Sequence, residues 1–172
     1  ADLNVAAYAE FISEIEPGSW DVMQKGLRNI AERASASEFL VYRAGGEIVG
    51  SVAYCPAGKG DQAMFAPEMA AILLLAVHPA HRGRGIARAL TGACIDRARR
   101  DHARAIALFT SDMMQSAQHV YRSLGSVTSA TVNDVDTGHD GTMRSSPHAP
   151  VSSVVSCSSE SARPARPRRR RG

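Results

Sequence analysis

Residues 77–90, VHPAHRGRGIARAL, concentrate the groups in this chain that could do chemistry. An apolar strand leads into a turn, then Arg82-Gly83-Arg84-Gly85, then a helix beginning at Ile86-Ala87. Gly83 and Gly85 remove two Cβ atoms where the chain enters the helix, so backbone N–H groups can converge on an anion there. The helix start adds unpaired donors and about half a positive charge. Arg82, Arg84 and Arg88 add side-chain cations. This combination suits a diphosphate, whose two linked groups can be spread across successive amides. The competing reading is an arginine-rich helix start with a glycine turn and no ligand.

Two familiar phosphate motifs do not fit. A P-loop requires Lys-Ser/Thr after its last glycine, and here Ile86-Ala87 follows. A dinucleotide fingerprint requires a third Gly or Ala three residues after the second glycine, and that position is Arg88.

The elements that position this segment follow from periodicity. Residues 1–16 read as a helix ended by Pro17-Gly18, and a second helix begins at Ser19 with an apolar stripe of Trp20, Met23, Leu27, Ile30 and Ala34. Residues 39–43 and 47–54 form two strands joined by Ala44-Gly45-Gly46, a hairpin signal. A buried strand over 70–77, a helix over 85–100, a short strand over 105–110 and a helix over 115–124 follow, the last ending at Gly125. Two helices, a hairpin and then strand-helix-strand-helix predict an α/β fold, with a mixed central sheet containing at least one parallel crossover, flanked by helices.

With these elements in place, the segment resembles motif A of the GCN5-related N-acetyltransferases (GNAT), Arg/Gln-x-x-Gly-x-Gly/Ala, met here by Arg82, Gly85 and Ala87 after the strand LLLAVHP. The strand ALFT and the helix SAQHVYRSLG look like the family's next elements, so the resemblance covers residues 37–125. It implies that main-chain groups of Leu75, Ala76 and Val77 pair with the pantetheine arm of acetyl-coenzyme A. The amides of Gly83, Arg84, Gly85, Ile86 and Ala87, with Arg82, would hold its pyrophosphate. It further implies an oxyanion donor near Val77 and direct attack by an amine without an acyl-enzyme. Tyr121 would be the general acid, an unperturbed pKa of about 10 keeping its phenol protonated at neutral pH. The alternative for Tyr121 is an amphipathic core residue.

The chain departs from the family pattern in three places. Where many members carry a glutamate that helps deprotonate the amine, this sequence has Ala71; Glu68, three residues earlier, is the candidate substitute base. The family's first strand is missing from the reading, since the chain begins in the first helix. The usual C-terminal strands are missing as well, because residues 126–172 contain no Leu, Ile, Phe, Tyr or Trp and are rich in Ser, Pro and terminal Arg. Such composition cannot bury enough apolar surface to offset chain entropy, so a disordered tail is expected, with at most a short strand near 126–135. The division is therefore 1–125 for the acetyltransferase domain and 126–172 for the tail.

Charge and cysteine content narrow the function classes. Residues 1–125 hold 13 Lys+Arg against 13 Asp+Glu, while 126–172 hold 7 against 4, so the whole net charge of +3 lies in the tail. The domain thus has no basic bias towards nucleic acid; the arginines between Arg163 and Arg171 read as a solvated end, with binding to nucleic acid or an acidic partner as the alternative. No run approaches the roughly 18 apolar residues of a membrane span, and no basic-then-apolar signal segment opens the chain. Cys55, Cys94 and Cys157 fit neither zinc spacing nor a disulfide framework, so no metal is expected and the setting is reducing and cytoplasmic. The expected acceptor is a small-molecule amine or a protein amino group. The sheet edge left by the missing strands predicts self-association, as in a homodimer. The second function, motivated by Ala71 and by the missing terminal strands, is a non-catalytic or impaired acyl-coenzyme A-binding module.

Overall fold

The structure, a computed structural model, describes residues 1–30, 34–60, 65–110, 114–124, 127–129 and 151–156. Helix α1 (Asp2–Tyr8) runs into a 3₁₀ segment (Ala9–Glu14), and α2 (Ser19–Arg28) follows the Pro17-Gly18 break. The hairpin consists of β1 (Glu38–Ala44) and β2 (Glu47–Cys55). Then come β3 (Met69–Val77), a short 3₁₀ turn (Pro79–His81), α3 (Ile86–Arg100), β4 (Ala105–Thr110) and α4 (Gln115–Ser123). Two further strands, β5 (Val127–Ser129) and β6 (Val151–Ser156), complete the description.

The sheet order is β1-β2-β3-β4-β6-β5, with only the β3–β4 pair parallel. This is the mixed sheet flanked by helices that the element order predicts. The first helix is shorter than its spacing suggests: after Tyr8 the chain tightens into the 3₁₀ segment, none of whose residues is buried.

The tail corrects one expectation. Val127–Ser129 falls within the stretch allowed for a short strand, but the sheet does not stop there. Val151–Ser156 pairs antiparallel along all of β4, from Ala105↔Ser156 to Thr110↔Val151. The composition of the tail predicts at most a short strand near 126–135, and this second strand lies beyond that stretch. Lying between β4 and β5, this segment forms a strand through main-chain donors and acceptors that both neighbours satisfy. The remainder of 126–172, including the terminal arginines, lies outside the described residues.

The main core lies between the sheet and helices α3 and α4. Val49, Val52, Tyr54, Ala70, Ile72, Ile106 and Leu108 face Ile86, Leu90, Cys94, Ile95, Ala98 and Tyr121. A smaller cluster joins Cys55, Phe65, Ala71 and Ala107, with Met69 and Leu73 packed against it. At the C-terminal end of α3, the buried Tyr54 donates its hydroxyl to Asp101 Oδ2 (2.8 Å), and Arg97 bridges Asp101 and Glu38. This pins the base of the helix to the hairpin and leaves its N-terminus to be set at the other end.

Gly50 sets that end. A Cβ built there would lie 2.7 Å from Ile86 Cγ2 and 3.1 Å from Leu90 Cδ1. The first turns of α3 therefore rest directly on the β2 backbone, opposite Val77. A glycine inside a strand pattern signals this kind of close approach.

Candidate coenzyme-binding cleft

The cleft begins where β3 and β4 stop pairing. Their parallel register runs only from Met69↔Ala105 to Ile72↔Leu108, although β3 continues to Val77. On its other side β3 remains paired, with Ser51↔Ala76 and Gly50↔Val77, and His78 N–H donates to Val49 O at 2.9 Å. In an antiparallel ladder the direction of main-chain groups alternates. Since His78 and Ala76 point to β2, the peptide groups of Leu75 and Val77 point to the side that β4 has left. Between Ser51 and Ala53 the register shifts by a bulge, and within it Leu74 adopts φ 52°. A left-handed leucine costs about 1–3 kcal/mol and persists only where its surroundings enforce it. The bulge bends β3 away from β4 at the point where the two strands part.

The strand then delivers the chain to the glycine loop. Gly83 (φ 73°) and Gly85 (φ 76°) both occupy the left-handed region, and a Cβ at either would meet nothing within 4 Å. Space is therefore available above them, and conformation is what demands glycine. Gly85 caps α3, and the first bond of that helix runs from Ala89 N–H to Gly85 O (2.9 Å). The amides of Ile86, Ala87 and Arg88 precede it and have no intrahelical acceptor. Arg84 and Arg88 are exposed and form no ion pair among the described residues. Strand β3, the loop and the helix start thus form one continuous run of outward-facing donors beside two free cations.

Arg82 behaves differently from its neighbours. Its Nη1 pairs with Glu10, its Nη2 donates to Ala7 O (2.8 Å), and its own amide closes the 3₁₀ turn on Pro79 O (3.3 Å). The guanidinium expected at the anion is engaged with the first helix.

Tyr121 lies on α4 and is 4 % exposed within the main core. Burial pushes its phenol above the ordinary range, with smaller contributions from Tyr8 and Cys94. Glu68 sits immediately before β3, half-exposed, with Arg104 at 3.8 Å and its carbonyl accepting the Arg104 amide (3.0 Å). The full length of β3 separates it from Val77. Ala71 is 1 % exposed in the apolar cluster with Cys55 and Phe65. The structure therefore brings Leu75, Val77 and residues 83–87 together but leaves Glu68 at the far end of the strand. His78 and His81 flank the loop with rings 5.8 Å apart, and His81 Nδ1 is buried without a hydrogen-bond partner among the described residues. Among the described residues no cluster of His, Cys, Asp and Glu could hold a metal, and no helix is long and apolar enough to cross a membrane.

A mixed sheet whose parallel central pair parts above a glycine-lined helix start defines the acetyltransferase class of α/β fold. Residues 5–125 match the Acetyltransferase (GNAT) family, and the chain belongs to it. The match reaches further towards the N-terminus than the motifs alone, taking in the second half of α1, the 3₁₀ segment and α2. No curated protein matches the sequence. Among solved structures, the chain is similar to an acetyltransferase of the GNAT family from Staphylococcus aureus Mu50 (18% identity, TM-score 0.62, covering 91% of this chain and 90% of that one). It is also similar to yncA of Salmonella typhimurium, solved with acetyl-CoA (21%, TM-score 0.57, 81% and 76%). A third is the ribosomal-protein-alanine N-acetyltransferase of Brucella melitensis (18%, TM-score 0.56, 88% and 91%).

Proposed function

We propose that this protein binds acetyl-coenzyme A in the β3–β4 cleft and transfers its acetyl group directly to an amine. The observation that carries this is the parting of β3 from β4 after Ile72, which turns the peptide groups of Leu75 and Val77 towards open space in line with the α3 amides. The pantetheine arm would lie along β3 as an added strand. Gly83, Arg84, Gly85, Ile86 and Ala87 would hold the diphosphate through their amides, with the side chains of Arg84 and Arg88 beside it. Arg82 would support the loop from the side of α1.

The acceptor's neutral nitrogen would add to the thioester carbonyl, whose oxygen gains charge next to the Val77 amide. The C–S bond then breaks, the thiolate takes a proton from Tyr121, the nitrogen loses one to solvent, and solvent returns a proton to the phenolate. Burial keeps the Tyr121 phenol protonated throughout the neutral range. Glu68 is poorly placed for proton removal, with Arg104 beside it and β3 between it and the cleft. Transfer would therefore favour amines that are substantially neutral at the working pH. A protein or peptide N-terminus, with a pKa of about 7.7, meets that condition better than a lysine at about 10.4. The ribosomal-protein-alanine enzyme among the fold neighbours supports the same acceptor class.

The second reading, a coenzyme-binding module without turnover, is favoured by Ala71 alone. Calorimetric titration with acetyl-coenzyme A, followed by thiol release over a panel of small amines and peptide N-termini, separates the two. Binding with no thiol released from any acceptor establishes the module, whereas absence of binding overturns both.

A further inference from the structure

The end of α1 is attached to the anion loop by one residue. Arg82, whose position in the loop is fixed by its own amide on Pro79, reaches back over 70 residues to Glu10 and to the carbonyl of Ala7. The two contacts differ in kind: a carboxylate in the 3₁₀ segment and a carbonyl in the last turn of the α-helix. A single planar guanidinium meeting both fixes the junction between the two helical forms. Tyr8 lies inside that junction, and its ring meets Phe11 edge-on with centroids 6.3 Å apart. Helix α1, which ends at Tyr8, packs against β3, the strand that lines the cleft. Residues 7–11 thus join the anion loop, through Arg82, to the helix that packs on β3.

The first half of α1 has its own attachment. Buried Asn4 donates to Leu27 O (3.4 Å) and accepts from the Ser51 hydroxyl (3.1 Å), and Arg28 pairs with Asp2 at 2.6 Å. Removing the Arg82 contact would leave that half in place and release only the junction.

We propose that Glu10, acting through Arg82, is a positioning residue that sets Tyr8 and Phe11 as one wall of the cleft and couples the order of that wall to occupancy of the anion loop. The coupling rests on the coenzyme reading above, while the clamp itself does not. A diphosphate ordering residues 82–85 also orders the arginine that holds residues 7–10, and the reverse holds by linkage.

The test is amide hydrogen exchange over residues 2–14 in wild type, Glu10→Gln and Glu10→Asp, with and without coenzyme A, alongside calorimetry of coenzyme A binding. In Glu10→Gln, exchange at residues 7–11 should rise about tenfold, as expected for loss of a charge-assisted contact, while residues 2–5 change little. Coenzyme A should slow exchange at residues 7–11 in the wild type, and this slowing should vanish in Glu10→Gln while affinity stays within about threefold. Glu10→Asp should restore part of both effects. A merely structural contact would raise exchange without altering the response to coenzyme A, and that result overturns the coupling. Tighter coenzyme A binding by Glu10→Gln, by about threefold or more, would mean that Glu10 competes with the diphosphate for Arg82, and it also overturns the proposal. Should coenzyme A fail to bind the wild type, the coenzyme reading falls. The clamp is then judged by the two ligand-free exchange profiles, and identical profiles refute it.

Discussion

Replacing Gly50 with alanine tests the link between sheet packing and the anion site. The added Cβ would sit 2.7 Å from Ile86 Cγ2, against about 3.5–4.0 Å for an ordinary carbon contact. Relief requires about 1 Å of movement, and the struck atom is a methyl on the Cβ of Ile86, close to the helix backbone. The Tyr54–Asp101–Arg97 cluster holds the other end of α3, so the helix should pivot there and its N-terminus should move most. Overpacking of this kind costs about 1–3 kcal/mol, or roughly 2–10 °C in Tm for a chain of this size. An outward movement of about 1 Å stretches the amides of residues 85–87 away from an anion held by the loop, and losing even half of one charge-assisted hydrogen bond weakens binding about fivefold. Thermal melts and calorimetry with acetyl-coenzyme A measure the two effects. Combining the change with Ile86→Ala, which deletes the obstructing methyl, should recover part of the affinity even though the core loses volume. A Gly50→Ala protein with unchanged Tm and unchanged affinity would refute the claim that this glycine seats the helix start.

Four further outcomes are expected. Gly85→Val imposes a β-branched residue on a φ of 76° and should weaken acetyl-coenzyme A binding by well over tenfold in a folded protein, as read by calorimetry with circular dichroism as the control. Tyr121→Phe should lower kcat by about 10²-fold with little change in coenzyme affinity, and normal turnover would make the residue structural. Tyr54→Phe should cost about 1–2 kcal/mol in urea unfolding by leaving Asp101 without its hydroxyl donor, with coenzyme affinity unaffected. Burial pushes the Cys94 thiol from 9.0 up to about 12, so on raising the pH the unfolded chain gives up this proton first. The resulting stability is complete below pH 9 and is lost between pH 9 and about 12. Cys94→Ala should flatten that decline by up to about 1.4 kcal/mol per pH unit in urea titrations.

The parts of this fold that were legible in the sequence are those where local pattern and tertiary role coincide. The hairpin turn at Gly45-Gly46, the apolar run of β3 and the Gly-x-Gly entry into α3 each carry their own signal, and each forms where expected. The bulge at Leu74 was not legible, because a leucine at positive φ has no local reason to be there; neighbouring strands impose it. Arg82 was assigned to the anion because its neighbours in the chain suit one, whereas its partners, Ala7 and Glu10, lie more than 70 residues away. Strand β6 was missed for a related reason. Val151–Ser156 is unremarkable alone and becomes a strand through the open edge of β4. Glu68 shows the limit of counting along a strand, since three residues before Ala71 is already the opposite end of β3 from the glycine loop.

The wall that Leu75 and Val77 offer to the cleft is made of peptide groups, and every amino acid except proline supplies the same ones. Substitution at these positions changes what lies above and below the sheet but not what the cleft presents. Selection on such a wall acts on the path of the chain: on whatever keeps the bulge at Leu74 and keeps β4 from closing against β3. A recognition surface of this kind can outlast nearly complete turnover of the residues that carry it. That is consistent with a fold held in common with proteins only 18–21% identical to this one. It also marks proline as the informative substitution. At Val77 a proline would delete the N–H facing the cleft while leaving the β2 ladder its neighbours, whereas an apolar residue of similar size would keep both that N–H and the packing of the side chain on the core.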